Sequence, residues 1–153
     1  MQRLGLHHRV VALCTGDLGF SAADRSENIR RLAEVASHLA RNGHIAIVAA
    51  VSPSREDRDA ARRIADTAFR EVYVATPAEV CESRDPKGHY AKARAGALQG
   101  FTGIGNDYQP PTDPELVIDT SSRSVGDAAD DIERMLAKTG ILFDELVDLA
   151  ANI

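Results

Sequence analysis

His44-Ile45-Ala46-Ile47-Val48-Ala49-Ala50-Val51, stopped by Ser52-Pro53, is a continuous apolar run rich in β-branched residues. A strand covered on both faces reads this way, because parallel strands are sandwiched between helices and keep no solvent face. Before it, Ile29, Leu32, Val35, Ala36 and Leu39 recur at spacings of three and four, which predicts an amphipathic helix from Ala22 to Asn42 ended by Gly43. Ser21, with Asp24 three residues on, reads as the cap that starts this helix. After the run, Arg55 to Phe69 reads as a charged helix and Glu71-Val72-Tyr73-Val74-Ala75 as a second buried strand stopped by Thr76-Pro77. A short helix from Pro77 to about Arg84 follows, then a third strand at Leu116-Val117-Ile118-Asp119 behind the proline-rich turn at 109–114. A last helix spans about Ser124 to Lys138, with Val125, Ala128, Ile132, Met135 and Leu136 on one face. Alternation of strands with helices predicts an α/β fold, a parallel sheet flanked by helices.

A chain of 153 residues with 44% hydrophobic and 27% charged content suits one globular domain. The net charge of −5 argues against a nucleic-acid polymer as partner, which would need a net basic face. Cations nevertheless cluster at Arg25, Arg30 and Arg31, at Arg55, Arg58, Arg62 and Arg63, and at Lys87, Lys92 and Arg94, three patches able to meet a small anion. Of the second cluster, Arg55, Arg62 and Arg63 read as solvated helix charges. Cys14 and Cys81 form no C-x-x-C pair and no histidine spacing suits zinc, so neither a disulfide framework nor a structural metal is expected. With no apolar leader and no run of membrane-span length, a cytoplasmic protein without a membrane partner is expected.

The segment Asp85-Pro86-Lys87-Gly88-His89-Tyr90-Ala91-Lys92-Ala93-Arg94-Ala95-Gly96, followed by Gly100-Phe101-Thr102-Gly103-Ile104, is basic, punctuated by glycine and nearly free of aliphatic core residues. It suits a lid that closes on an anion without unpacking a core. Lys87 stands out within it, because a lysine between proline and glycine sits on a constrained backbone.

Together with Asp17-Leu18-Gly19-Phe20-Ser21-Ala22-Ala23-Asp24-Arg25-Ser26-Glu27-Asn28-Ile29-Arg30-Arg31 and with Val51-Ser52-Pro53 running to Asp57-Arg58, this segment resembles the adenylylsulfate kinase family. The shared blocks are D-L-G-F-S-x-x-D-R-x-E-N-I-R-R, I-S-P-x-x-x-D-R, R-D-P-K-G-x-Y-x-x-A-R-x-G and G-F-T-G-I, over roughly residues 16 to 139. The resemblance implies a P-loop kinase fold and ATP-dependent phosphorylation of the 3′-hydroxyl of adenosine 5′-phosphosulfate in sulfate assimilation. It implies that nucleotide and ATP as partners, Mg2+ as cofactor of the complete enzyme, and a homodimer or a fusion or association with ATP sulfurylase.

The same resemblance assigns roles. Lys87 would neutralise charge on the transferring or sulfate group, as catalytic and substrate-binding residue. Phe20, Arg25, Asn28, Ser52, Pro53, Arg58, Phe101 and Thr102 would hold the acceptor, with Phe20 and Phe101 as two aromatic walls around its adenine. Arg84 and Arg94 would reach ATP. Plainer readings stand beside these: Phe20 as a hydrophobic staple for the helix that follows, Arg25 and Asn28 as a solvated helix face, Arg58 as a surface ion pair with Glu56-Asp57 type neighbours.

The family's P-loop, G-x-x-x-x-G-K-S/T, cradles the ATP phosphates and holds magnesium. No such motif occurs in this sequence, and Leu6-His7-His8-Arg9-Val10-Val11-Ala12-Leu13-Cys14 stands where the family's D-G-D segment is expected. The expected organisation is therefore an atypical segment at 1–15, an incomplete kinase-like domain at 16–139 lacking the P-loop strand and helix, and an amphipathic tail at 140–153. In the family's strand order the absent strand lies between 44–51 and 71–75. The alternative function is a truncated or non-catalytic fragment that binds the phosphosulfate nucleotide without transferring phosphate.

Overall fold

The computed structural model describes residues 17–19, 21–66, 69–98, 101–104 and 108–139. The expected atypical segment, Phe20 and the expected tail lie outside the described residues.

Helix α1 runs Ala22–Arg41 and starts as the sequence predicts. The Ser21 hydroxyl oxygen accepts from the Asp24 amide at 3.1 Å, and the hydroxyl donates to the Asp24 carboxylate at 2.7 Å. This satisfies an amide that the helix leaves without a partner. At the other end Gly43 takes φ +80°, and the amides of Gly43 and His44 close onto the carbonyls of Ala40 and Leu39. Only a left-handed residue lets the chain turn back so sharply, which is why the helix stops there. Helix α2, Arg55–Ala65, is capped in the same manner by Ser54.

The two helices pack through Ile29 and Ala33 of α1 against Ala61 of α2, with Leu32, Ile64 and Phe69 around them. The line buried on α1 is Ile29, Ala33 and Ser37, four residues apart, and it replaces the expected stripe in part, since Val35 is exposed. Small side chains at Ala33 and Ala61 let the helices approach closely. The Ser37 hydroxyl, buried in the seam, donates to the Ile64 carbonyl at 3.3 Å.

Strand β1, Val72–Val74, and strand β2, Leu116–Ile118, pair in parallel with Val72 opposite Leu116, so the α/β parallel arrangement is present. Ile118 is the most buried large side chain, 2% exposed. Helices α3, Ala78–Arg84, and α4, His89–Arg94, follow β1, and α5, Val125–Lys138, follows β2 behind a capping box of Ser124 and Asp127.

Two strand expectations are corrected. The run 44–51 forms no ladder with any described residue, and Ile47 is 83% exposed. The second strand is shorter than expected and not covered on both faces, for Val74 is 58% and Val117 54% exposed. An apolar run becomes a buried strand only when neighbouring strands take its amides and carbonyls. Among the described residues β2 is the only ladder partner of β1, and none lies beside 44–51.

Arg62 is not a solvated charge either. Its guanidinium grips the Glu115 carboxylate at 2.5 and 2.8 Å and lies 4.7 Å above the Phe69 ring. That hydrogen bond from Arg62 holds the Glu115 carboxyl down at about 2, against an ordinary 4.5, with partial burial opposing and the Glu71 amide assisting. A carboxyl lowered in the folded state stabilises fully above its unfolded value and loses that contribution as pH falls from about 4.5 toward about 2. The pair is partly exposed, so screening limits it to about 1 kcal/mol. Glu115→Gln should therefore melt below the parent protein at pH 7, and the gap should close between pH 4.5 and 2. Thermal melts at stepped pH check this, and a gap independent of pH would show that the ionised pair contributes nothing.

Candidate functional site

The carboxyl ends of parallel strands are where open α/β sheets bind ligands, and of the expected site residues Arg84, Lys87, Arg94, Phe101 and Thr102 lie on the segment that follows β1. Ser52 and Pro53 end the 44–51 run. Ser52 has φ +40°, a region that non-glycine residues rarely enter, and its hydroxyl oxygen is buried with no hydrogen-bond partner among the described residues.

Arg58, expected to touch the acceptor, is 8% exposed. Its Nε donates to Glu71 at 2.8 Å, one Nη to the Ser52 carbonyl at 2.6 Å and the other to the Gln109 carbonyl at 2.5 Å. The Tyr108 ring lies 5.3 Å from the guanidinium and stacks on Tyr73 at 5.8 Å. The surface ion pair with Glu56-Asp57 type neighbours is not what forms: the partner carboxylate is Glu71, 13 residues on.

Arg55, expected as a solvated charge, donates its backbone amide to the Gln109 side chain and its guanidinium to the Pro110 carbonyl, both at 2.9 Å. Arg30 and Arg31 are engaged as well. Glu27 receives both, and Arg31 also holds Asp17 through two bonds of 2.9 Å, which fastens the preceding segment onto α1. Hydrogen bonds from Arg30 and then Arg31 hold the Glu27 carboxyl at about 2. Arg25 and Asn28 occupy the first two turns of α1, near its positive end.

The Asp85 to Gly88 turn carries Lys87 at its exposed tip. The Gly88 amide donates to the Asp85 carbonyl at 3.0 Å, and Gly88 itself sits at φ +65°. The Asp85 carboxylate then takes the amides of Tyr90 and Ala91 at 3.2 and 3.1 Å and caps α4 from outside the helix. Burial works to raise the Asp85 carboxyl, but the amides of Ala91, Tyr90 and His89 outweigh it and hold it below the ordinary value. Lys87 has no hydrogen-bond or ion-pair partner among the described residues, so its ammonium remains available to an anion.

Phe101 stands edge-on to Tyr90 with ring centroids 5.0 Å apart and also meets His89 at 6.0 Å. A Cβ on Gly103 would fall 2.4 Å from the Phe101 ring, so only glycine lets the chain fold back over it. Thr102 lies half-buried in this turn. The lid segment, expected to have few anchors, thus has two: the Asp85 cap and the Tyr90–Phe101 contact.

Both arginines expected at ATP are engaged within the chain. Arg84 donates to the Thr120 hydroxyl at 3.0 Å and to its carbonyl at 2.7 Å, and Arg94 pairs with Glu82 at 2.5 and 2.8 Å. Each pair is exposed, where such bonds exchange readily for a ligand's.

The structure therefore brings Ser52, Pro53 and Arg58 into one knot and ties Phe101 to α4. Sequence reading missed Glu71, Gln109, Tyr90 and the Thr76–Thr120 hydroxyl pair, 2.7 Å apart at the ends of β1 and β2. Only Glu71 left a trace, a lone carboxylate at the head of an apolar strand. Among the described residues no three carboxylate, imidazole or thiol groups converge on a metal site.

The family model for adenylylsulphate kinase matches residues 8–119. That range begins inside the segment expected to be atypical and stops short of residue 139. A curated relative, the adenylyl-sulfate kinase of Shewanella pealeana, is 51% identical over 121 residues, 78% of this chain and 58% of the relative. The bifunctional enzyme NodQ of Azospirillum brasilense is 45% identical over 140 residues, 91% of this chain and 21% of that enzyme. The solved Mycobacterium tuberculosis APS kinase CysC, in complex with AMPPNP and APS, is 48% identical and superposes with a TM-score of 0.76 over 80% of this chain and 72% of its own. The chain spans less than two thirds of the length of the first of these relatives. With the family model covering most of the chain and half of 121 aligned residues identical to a curated member, the chain belongs to the adenylylsulphate kinase family and shares its fold.

Proposed function

We propose that this chain carries the acceptor half of an adenylylsulfate kinase, which transfers the γ-phosphoryl group of ATP to the 3′-hydroxyl of adenosine 5′-phosphosulfate. The observation that carries the reading is its 48% identity to a kinase solved with both nucleotides. Phosphoryl transfer needs alignment and charge neutralisation more than covalent help. Lys87, at the exposed tip of the Asp85 to Gly88 turn and without a partner among the described residues, supplies a positive charge for the phosphosulfate or the transferring group. Arg25 and Asn28 meet the phosphosulfate at the positive end of α1, Phe20 and Phe101 enclose the adenine, and Ser52, Pro53 and Thr102 complete the acceptor wall. Arg84 and Arg94 exchange their internal partners for ATP. Magnesium belongs to the complete enzyme, and a homodimer or an association with ATP sulfurylase is the assembly this reading favours, the latter supported by a bifunctional relative. The domain proper is taken as 16–139 and the site as cytoplasmic.

One observation favours a second reading. With no G-x-x-x-x-G-K-S/T in 153 residues, the chain by itself binds the acceptor without transferring phosphate.

The test is calorimetry on a version extended with a P-loop-bearing segment. Lys87→Ala and Arg25→Ala should each weaken adenylylsulfate affinity about tenfold, the worth of one charge-assisted hydrogen bond, and leave ATP affinity within a few-fold. Equal loss of both affinities would count against an acceptor pocket.

A further inference from the structure

We propose that Arg58 is a positioning residue: anchored by Glu71, it holds the Ser52–Pro53 turn in its left-handed shape, and through that shape sets the affinity for the acceptor nucleotide. The inference rests on the acceptor-site reading of Ser52 and Pro53.

The turn carries two costs that it does not relieve locally. Ser52 sits at φ +40°, and its buried hydroxyl has no partner among the described residues. A backbone in such a region persists only where the surroundings over-determine it. Here they do, through a closed loop of bonds. Arg58 donates to the Ser52 carbonyl and to the Gln109 carbonyl, and the Gln109 amide returns to the Pro53 carbonyl at 2.9 Å. The turn is thereby gripped on both sides of its peptide from one planar guanidinium. Glu71 fixes the third edge of that plane at Nε, and the Tyr108 ring covers its face. Lysine could supply the charge but not the three-way fork. With Nε and both Nη atoms donating inside the chain and 8% of its surface exposed, Arg58 acts on a ligand through the turn it holds.

The experiment uses the isotope-labelled 153-residue chain, with the Ser52 HN–Hα coupling and Cα shift reading its φ and calorimetry reading adenylylsulfate binding. In Arg58→Lys the left-handed signature of Ser52 should disappear and the affinity should fall about tenfold, the effect of losing one charge-assisted bond. Glu71→Gln should move both readouts in the same direction by less, and it stands in if Arg58→Lys does not fold. Ser124→Ala, which removes the cap of α5, should lower the melting temperature while leaving Ser52 and the affinity unchanged. Retention of positive φ at Ser52 in a folded Arg58→Lys would overturn the proposal, as would lost φ with unchanged affinity, or an equal loss of affinity in Ser124→Ala. Failure of the unmodified chain to bind adenylylsulfate would instead overturn the acceptor-site reading, before any variant is compared.

Discussion

Purified and supplied with adenylylsulfate, ATP and magnesium, the 153-residue chain should form the 3′-phosphorylated product no faster than the uncatalysed background. A phosphoryl group is transferred when its charge is cradled and its phosphorus aligned, and each preorganised donor removed from such a site costs roughly a hundred- to a thousandfold in rate. The sequence contains no P-loop lysine and no P-loop hydroxyl for the metal. Several donors are therefore missing at once, and Lys87 alone does not replace them. Product formation followed with labelled ATP checks this. A version extended with a P-loop-bearing segment should turn over, whereas robust turnover by the chain alone would mean that its ATP site is built from other residues.

Glu71→Ala should be the most destabilising single substitution of a charged residue, by about 3–5 kcal/mol, the usual cost of stranding one member of a buried pair. Arg58 and Glu71 side chains are only 10% and 14% exposed, so the arginine left behind could not recover its hydration. Glu71 also meets Arg62 at 3.5 Å, and its backbone amide donates to the Glu115 carboxylate, so three charged side chains meet at this one position. Against the ~5–15 kcal/mol that holds an ordinary domain folded, such a loss should leave a large unfolded fraction at room temperature. Glu27→Ala is the internal comparison. Glu27 meets two arginines, but on the outer surface of α1, and its loss should stay within about 1 kcal/mol. Denaturant melts of both variants decide the matter, and equal shifts would mean that burial of the Arg58 pair has no energetic weight.

The expectations that held were those whose physics is local. Ser21 with Asp24 satisfies a helix amide three residues away, so the start of α1 was legible in the chain. Gly43 marked the end of α1 for an equally local reason, since the backbone there needs a positive φ. The turn around Lys87 was legible from Pro86 and Gly88, although its anchoring by Asp85 and by Tyr90 against Phe101 was not.

What determined class and family was the alternation of apolar runs and helical stripes together with four motif blocks, all present in the order of residues. The tertiary structure decided whether a run with strand character becomes a strand, and which carboxylate each arginine meets. Residues 44–51 carry the composition of a buried strand, yet a ladder needs amides and carbonyls supplied by another segment, and none of the described segments pairs with them. Arg58 and Arg62, four residues apart on one helix face, look alike in sequence. One is engaged at Ser52, Gln109 and Glu71 and the other at Glu115, because folding brings Gln109 and Glu115, 51 and 53 positions away, against α2, a distance at which periodicity and spacing carry no information.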